Sequence, residues 1–556
     1  APAADFRGYY VRAEAGAAGA GANAVDVSSD FTAYPRYGFI SEMTSAETAA
    51  ESEAKIAELV ENYHINAIQF YDWMWRHEKV IKRTGGSIDP TWLDLFNREI
   101  AWATLQNQIN AAHDRNAAAM AYEMIYGARE NYDAFGVNAE WGLYQDSGHS
   151  SQYDFNFGFG PILFFFDPMN EGWQNYIFAE YWDAINTAGF DGIHLDQFGE
   201  RNNVYDYYGN PIDLSTRFSP FINELKSVLT ANNPDKNYIT FNIVDGTTNG
   251  WAANDVSENS DADFLYSEIW FKANSYNELS QYIESIRERS GGKVPVLAAY
   301  MNYKENIGPR YEAEDALLTN TAVNNNHSGY TGVGFVDQFA SPGDAVTFTI
   351  YAPEDGDYSL VFRHGNATGS DATRNLYVDG VFVRELSFHW MSSWDSWSTE
   401  VYVQLPLAAG THTVKLAYDS GNTGAINLDS LTLGTFSEPS VRLADAMMAA
   451  SGAAHIELGE DSQMLAHEYF PNRSKSVREP LKEALRDHYN FITAYENLLF
   501  DKDLVRGDAG LQFVSIDGVP TSGDGSANKV WHITKRSPQY TVVHLINLTG
   551  NDDQWR

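Results

Sequence analysis

The chain contains no cysteine, which excludes disulfides, thiolate metal sites and a cysteine nucleophile while leaving the redox compartment open. Basic residues are scarce. Against 37 Lys and Arg stand 75 Asp and Glu, a formal net charge of -38, and a surface of that sign repels phosphate backbones, so nucleic acid is excluded as a partner. No apolar run reaches the roughly 18 residues that read as a membrane-spanning helix. Ala1, Pro2, Ala3 and Ala4 carry no signal-peptide core, a start that fits a cleaved signal and an engineered one equally. No His cluster has metal-ligand spacing either, so catalysis at a metal is not expected and no catalytic cofactor is called for.

Aromatic residues, by contrast, are abundant. They make up 14% of the chain, with 14 Trp and 33 Tyr, a content that suits either platforms for sugar rings or a large aromatic core. At 556 residues two or three units are expected, one of them large enough for a barrel. From Pro35 onward short apolar runs alternate with amphipathic segments, the pattern of repeated βα units around a parallel sheet. The runs Tyr37 to Ser41, Ala67 to Tyr71, Ala118 to Glu123, Gly192 to Asp196, Tyr238 to Ile243, Phe264 to Glu268 and Val296 to Tyr300 predict seven strands. Helices are predicted at Ser45 to Tyr63, Trp92 to Arg115, Trp173 to Ala188, Ser219 to Ala231 and Ser275 to Arg289.

Near Tyr311 the texture changes to alternating Val, Phe, Tyr and Thr punctuated by Gly and Asp, as in an all-β module. A helix at Leu443 to Ala450, an eighth strand at Ala454 to Leu458 and a closing helix at Val477 to Phe500 follow it. The expected fold is therefore an α/β (β/α)8 TIM barrel interrupted by a β-module. Residues 1–32 are expected to be the remnant of an N-terminal β-domain and 33–309 the first part of the barrel. Residues 310–436 would form the insert, 437–503 the rest of the barrel, and 504–556 the start of a C-terminal β-domain.

Two segments carry the chemistry. Gly189 to Gly199 lifts Asp196 to the end of an apolar strand, and Ala262 to Trp270 does the same for Glu268 among aromatics. Desolvating a carboxylate costs several kcal/mol unless it is hydrogen-bonded or used. That argues for use, with a cap or an ion pair as the alternative for either acid, and two such carboxyl groups on the C-terminal rim of a barrel are the equipment for cleaving a glycosidic bond. Asp72, Glu123, Asn242 and Glu457 fall at matching strand ends and are candidate substrate contacts. Tyr71, Trp73, Tyr122, Tyr126, Tyr266, Trp270 and Tyr300 are candidate stacking rings. His194 shares the phase of Asp196, and Gln197 follows it directly.

The segments Pro35 to Phe39, Gly189 to Gly199 and Asp263 to Trp270 resemble glycoside hydrolase family 66, and the resemblance extends over almost the whole chain. It implies that Asp196 is the nucleophile and Glu268 the acid/base of a retaining enzyme acting on α-1,6-glucan, with dextran and isomaltooligosaccharides as partners. Tyr311 to Asp315 and Asn427 to Leu431 resemble the two ends of a family 35 carbohydrate-binding module, a β-jelly-roll. That likeness implies a structural Ca2+ on Glu312, Glu314 and Asp429, and sugar contacts drawn from Tyr330, Trp390, Trp394 and Asn427. An insert in the barrel, and His194, Leu195, Asp196 and Gln197 as they stand, look like the cyclising glucanotransferases of the family rather than its endo-dextranases. Glu123 departs from the family pattern, which has Asn there. Secretion to the extracellular space and a monomeric state are expected. Endo-dextranase is the alternative activity, and a non-catalytic glucan-binding protein is the remote one.

Overall fold

Eight short parallel strands pair in chain order: β1 Tyr37–Ile40, β2 Ala67–Phe70, β3 Ala118–Met124, β4 Gly192–Asp196, β5 Tyr238–Asn242, β6 Phe264–Glu268, β7 Pro295–Ala298 and β8 Ala454–His455. The structure is a computed structural model and describes residues 5–14, 16, 20–157, 160–244, 251–270, 273–299, 308–466, 473–507 and 514–555. The sheet is nearly closed: beyond β8, Leu458 accepts a hydrogen bond from the Phe39 amide at 3.0 Å, and Phe39 bridges to Gly459 in parallel sense. Parallel neighbours need crossovers. These are supplied by α1 Ala49–Ala57, α2 Trp102–His113, α3 Glu171–Asp183, α4 Phe218–Asn232, α5 Ala253–Asn259 and α6 Tyr276–Arg289, followed by α7 Glu438–Ser451 and α8 Glu479–Ala494 around the last strand. Thr48 and Glu51 close a capping box on α1, and Ser275 and Glu278 do so on α6.

Strand register decides which side chains face inward. In parallel neighbours, paired residues share a face. His194 pairs with Tyr122 and Thr240, and Asn242 with Tyr266, so these side chains fill the interior of the sheet. Tyr37 stands beneath them, its hydroxyl 3.1 Å from His194 Nδ1. Gly192, at the foot of β4, permits the close approach of β5: an added Cβ would lie 2.1 Å from the Tyr238 carbonyl oxygen.

One predicted helix begins later than expected. Residues from Trp92 onward form a hairpin, Thr91–Leu93 paired with Glu99–Ala101, before α2 begins. The Asp94 carboxylate accepts from the Phe96 and Arg98 amides at 2.8 Å, and Asn97 adopts a left-handed φ of 61°. That local turn chemistry outcompetes the helix.

The chain divides into two compact units, residues 1–300, 439–471 and 483–556 in one, and 301–438 and 472–482 in the other. The first also holds the antiparallel hairpin Arg7–Glu14 with Ala20–Val27, and a sheet of Val505–Arg506, Thr521–Ser522, Val530–Arg536 and Thr541–Asn547. The second consists of two antiparallel sheets. One centres on Phe335–Phe339, Ile426–Gly434, Gly356–Gly365 and Ser398–Leu407, and the other on Ala345–Ala352, Gly410–Ala417 and Ala372–Val378. Val346, Phe348, Leu360, Phe362, Leu416 and Leu428 from these strands join in one apolar core between the sheets.

Candidate functional site

In β4 and in β6 every residue is buried except the last, and that residue is the acid: Asp196 and Glu268 are each half-buried at a strand tip. Asn242, ending the strand between them, joins the two. Its Nδ2 donates to Asp196 Oδ1 at 2.8 Å and to Glu268 Oε2 at 2.9 Å. Two oxygens held by one nitrogen at those distances lie closer than the roughly 6.5–9.5 Å between the carboxyl groups of inverting glycosidases. The Asn242 carbonyl oxygen of the side chain is fixed in turn by the Val244 amide at 2.8 Å, which settles the orientation of the amide.

Asp196 takes two further hydrogen bonds, from the Tyr122 hydroxyl at 2.5 Å and the Gln197 amide at 2.7 Å. Burial raises its pKa, and the hydrogen bonds from Tyr122, Asn242 and Gln197 oppose that rise. Glu268 Oε2 also accepts from the Trp270 indole at 3.1 Å. Asp72, left-handed at φ 51°, is held by Arg98 at 2.8 Å, and Arg98 is itself fixed by Asp94 at 2.6 Å. Burial pushes the Asp72 carboxyl up to about 7 although Arg98 opposes it, and Asp196 is among the charges acting on it. Tyr71 packs on Tyr122 with ring centres 4.6 Å apart. Asp196, Glu268, Asn242, Trp270, Tyr122, Tyr71 and Asp72 thus gather at the C-terminal end of the sheet, with Tyr266 beneath them against His194.

Several expected contacts lie elsewhere. Glu123 pairs with Leu195 and so faces the helices, fully buried, 4.0 Å from His77; burial drives its carboxyl pKa well up. The interior position on β3 belongs to its neighbour Tyr122, one residue out of the expected phase. Glu457 also points away from the mouth. His455 pairs with Leu297, which shares the outward face of Ser267, and Glu457 follows in the same phase. His194 is buried below the rim on Tyr37, and burial lowers its pKa to about 3. Trp73 is fully buried against Phe190, and Tyr126 is fully buried with its hydroxyl on the Phe198 amide at 2.6 Å. Gln197 spends its side chain on the Asn242 carbonyl and the Gly199 amide. Tyr300 lies outside the described residues. Arg98 and Asp94 were not anticipated; the only signal for them is a hairpin hidden in an apparently helical stretch.

In the second unit, Glu312, Glu314 and Asp429 converge on the turn from Thr331 to Gly334. The Thr331 hydroxyl lies 2.7 Å from Glu312 and 2.8 Å from Asp429, and Glu314 Oε1 accepts the Val333 amide at 2.7 Å. Arg310 and Arg363 partly balance the charge, and Glu314 Oε2 is buried without a hydrogen-bond partner. Hard carboxylate oxygens with an unsatisfied atom among them fit a Ca2+ ion in donor chemistry. Tyr330 packs near Phe335, and Trp394 stacks on His327; Trp397, not anticipated, joins them through Phe335. Trp390 is exposed, whereas Asn427 is buried within its strand.

Comparison with known proteins places the chain in a family. The family profile of glycosyl hydrolase family 66 matches residues 1–556. A cycloisomaltooligosaccharide glucanotransferase of Niallia circulans is 66% identical over 557 residues, covering 100% of this chain and 57% of that protein, so the chain spans little more than half of that relative. A dextranase of Streptococcus salivarius is 22% identical over 96% of the chain and 54% of its own length. Among solved structures, a cycloisomaltooligosaccharide glucanotransferase of Paenibacillus sp., complexed with cycloisomaltoheptaose, superposes with a TM-score of 0.98 at 66% identity, covering 100% of this chain and 79% of that one.

Proposed function

The chain belongs to glycosyl hydrolase family 66, and we propose that it cleaves α-1,6-glucan through a covalent glucosyl intermediate and closes the released segment into a cycloisomaltooligosaccharide. The observation that carries this reading is the single Asn242 nitrogen shared by Asp196 and Glu268. It supports the short carboxyl separation, about 5–5.5 Å, of retaining enzymes. The two relatives at 66% identity that bear the glucanotransferase name favour ring closure over hydrolysis.

In the proposed reaction Glu268 protonates the glycosidic oxygen as the C–O bond breaks, and Asp196 attacks the anomeric carbon from the opposite side. A glucosyl ester on Asp196 results. Tyr122 and the Gln197 amide favour the ionised form of the Asp196 carboxylate and aim it. Glu268, now a base, takes the proton of the incoming hydroxyl. If that hydroxyl is the 6-OH at the non-reducing end of the bound chain, the product is a ring; if it is water, the product is linear. Intramolecular attack outruns water when the distant end is held close, and a sugar-binding module in the same chain supplies such a hold.

The nearly closed eight-stranded sheet is assigned as a (β/α)8 barrel, and the second unit as a jelly-roll carbohydrate-binding module with Tyr330, Trp390 and Trp394 as sugar contacts. Glu312, Glu314 and Asp429 would hold a structural Ca2+ there, which would offset the mutual repulsion of the three acids. Action outside the cell follows from a polymeric substrate. Incubation with dextran and mass spectrometry of the products tests the reading. Oligomers lighter by one water than linear isomaltooligosaccharides support it, linear products alone convert it to a dextranase, and no products overturn the roles of Asp196 and Glu268.

A further inference from the structure

On the outward face of the sheet, far in character from the sugar site, Asp445 of α7, His455 of β8 and Glu457 bring three potential ligand atoms within 4.8 Å of one another. Their side chains are buried, with Glu457 at 0% exposure. His455 Nε2 lies 3.1 Å from the Ala299 carbonyl oxygen. A carbonyl only accepts, so the ring proton belongs on Nε2. Nδ1 of the neutral ring then turns its lone pair toward Asp445 Oδ1 at 3.0 Å and Glu457 Oε2 at 3.5 Å. In that tautomer three acceptors face one point, whereas the protonated ring, which the two carboxylates favour, donates from Nδ1 toward them.

Several oxygens of the cluster lack a well-formed hydrogen bond. Neither oxygen of Glu457 has a hydrogen-bond partner, and neither does Asp445 Oδ2. From α8 the Tyr489 hydroxyl is directed at the Glu457 carboxylate, and His488 lies close to it. A proton on Nδ1 offsets one carboxylate, and burial beside Glu457 pushes the Asp445 carboxyl up to about 7. A divalent cation would balance both carboxylates at once.

The spacing suits such an ion. Ligand atoms about 2.0–2.2 Å from a tetrahedral Zn2+ lie about 3.3 Å from one another, between the two distances seen at Nδ1. An imidazole nitrogen in the set favours a transition metal over Ca2+ or Mg2+, which prefer oxygen. A metal-bound His commonly donates its other N–H to a backbone carbonyl, which fixes the ring, and Ala299 provides that carbonyl. We propose that Asp445, His455 and Glu457 form a binding site for one transition-metal ion, with Zn2+ the best match, that ties α7 to the adjoining strands. Its role is structural, and it is independent of the sugar chemistry.

The test uses the full chain produced in medium with added Zn2+, desalted and analysed for metal. Wild type and Glu314→Gln, a control for the module acids, should each retain about one equivalent of zinc, and Glu457→Gln should retain almost none. Protein produced with Co2+ in place of Zn2+ should show the visible bands of a tetrahedral site with nitrogen and oxygen ligands. Asp445→Asn replaces Glu457→Gln if the latter does not fold, and the Co2+ spectrum of wild type decides if neither does. Wild type without zinc above background and without the Co2+ bands, or zinc retained equally by Glu457→Gln, overturns the proposal.

Discussion

Tyr122 reaches from β3 to donate its hydroxyl to Asp196 at the tip of β4, at 2.5 Å. The bond favours the ionised carboxylate and opposes the burial that raises its pKa. A nucleophile must be ionised, so activity falls as pH drops through that pKa. Tyr122→Phe removes the donor, raises the pKa further and should move the acid limb of the kcat/KM profile to higher pH. A hydrogen bond to a charged group contributes about 1.5–3 kcal/mol, which corresponds to about one pH unit or more. An acid limb at the wild-type position would show that the hydroxyl does not tune Asp196.

Glu268 is assigned two successive tasks, acid and then base, and a substrate with an activated leaving group separates them. Glu268→Gln should lower turnover of dextran by about 10²–10⁴-fold. With an aryl glycoside whose phenolate leaves unaided, the first step no longer needs the acid, while the second still lacks its base. The variant should therefore release a burst of phenol close to one equivalent of enzyme and then slow down. Slow release from the first turnover, with no burst, contradicts the assignment.

Gly192 fixes where Asp196 ends up, because β4 can rise beside β5 only if nothing projects from its first residue. A methyl group there would lie 2.1 Å from the Tyr238 carbonyl oxygen, and backbone does not yield as a side-chain end does. Gly192→Ala should destabilise the fold by about 1–3 kcal/mol or more and lower activity beyond what the loss of folded protein explains. A thermal melt and an activity assay on the folded fraction measure the two effects. Wild-type values in both would remove Gly192 from the account.

The sheet was legible in the sequence because its strands are nearly continuous apolar runs that end in polar residues, as buried parallel strands do. Asp196 and Glu268 stood out for the same reason. The errors came from phase and from local chemistry. Glu123 and Tyr122 are adjacent, and only the pairing of Tyr122 with His194 shows which of them faces inward. Glu457 erred in the same way, since the short strand β8 leaves too few residues to set its phase. Aromatic content did not reveal where rings point: Trp73 and Tyr126 are core, while Trp270 and Tyr122 touch the acids. The hairpin before α2 was hidden because Asp94 and Asn97 override a helical pattern.

The acids of the second unit give the last prediction. Glu312 and Asp429 share the Thr331 hydroxyl, and Glu314 keeps one buried oxygen without a partner. A Ca2+ ion that binds only the folded module stabilises it by mass action, by about 2.7 kcal/mol when free Ca2+ is a hundredfold above its Kd. Calorimetry of the full chain should therefore show the module's transition falling on treatment with a chelator and recovering with Ca2+ but not with Zn2+. Glu314→Gln, which keeps the shape of the side chain and removes its charge, should melt at the chelated temperature and ignore added Ca2+. Its hydrolysis or cyclisation of short soluble isomaltooligosaccharides should stay close to wild type, because these acids lie outside the machinery of Asp196 and Glu268. Should chelation leave the transition where it is, Thr331, Arg310 and Arg363 are sufficient to hold the three carboxylates together, and the calcium assignment fails.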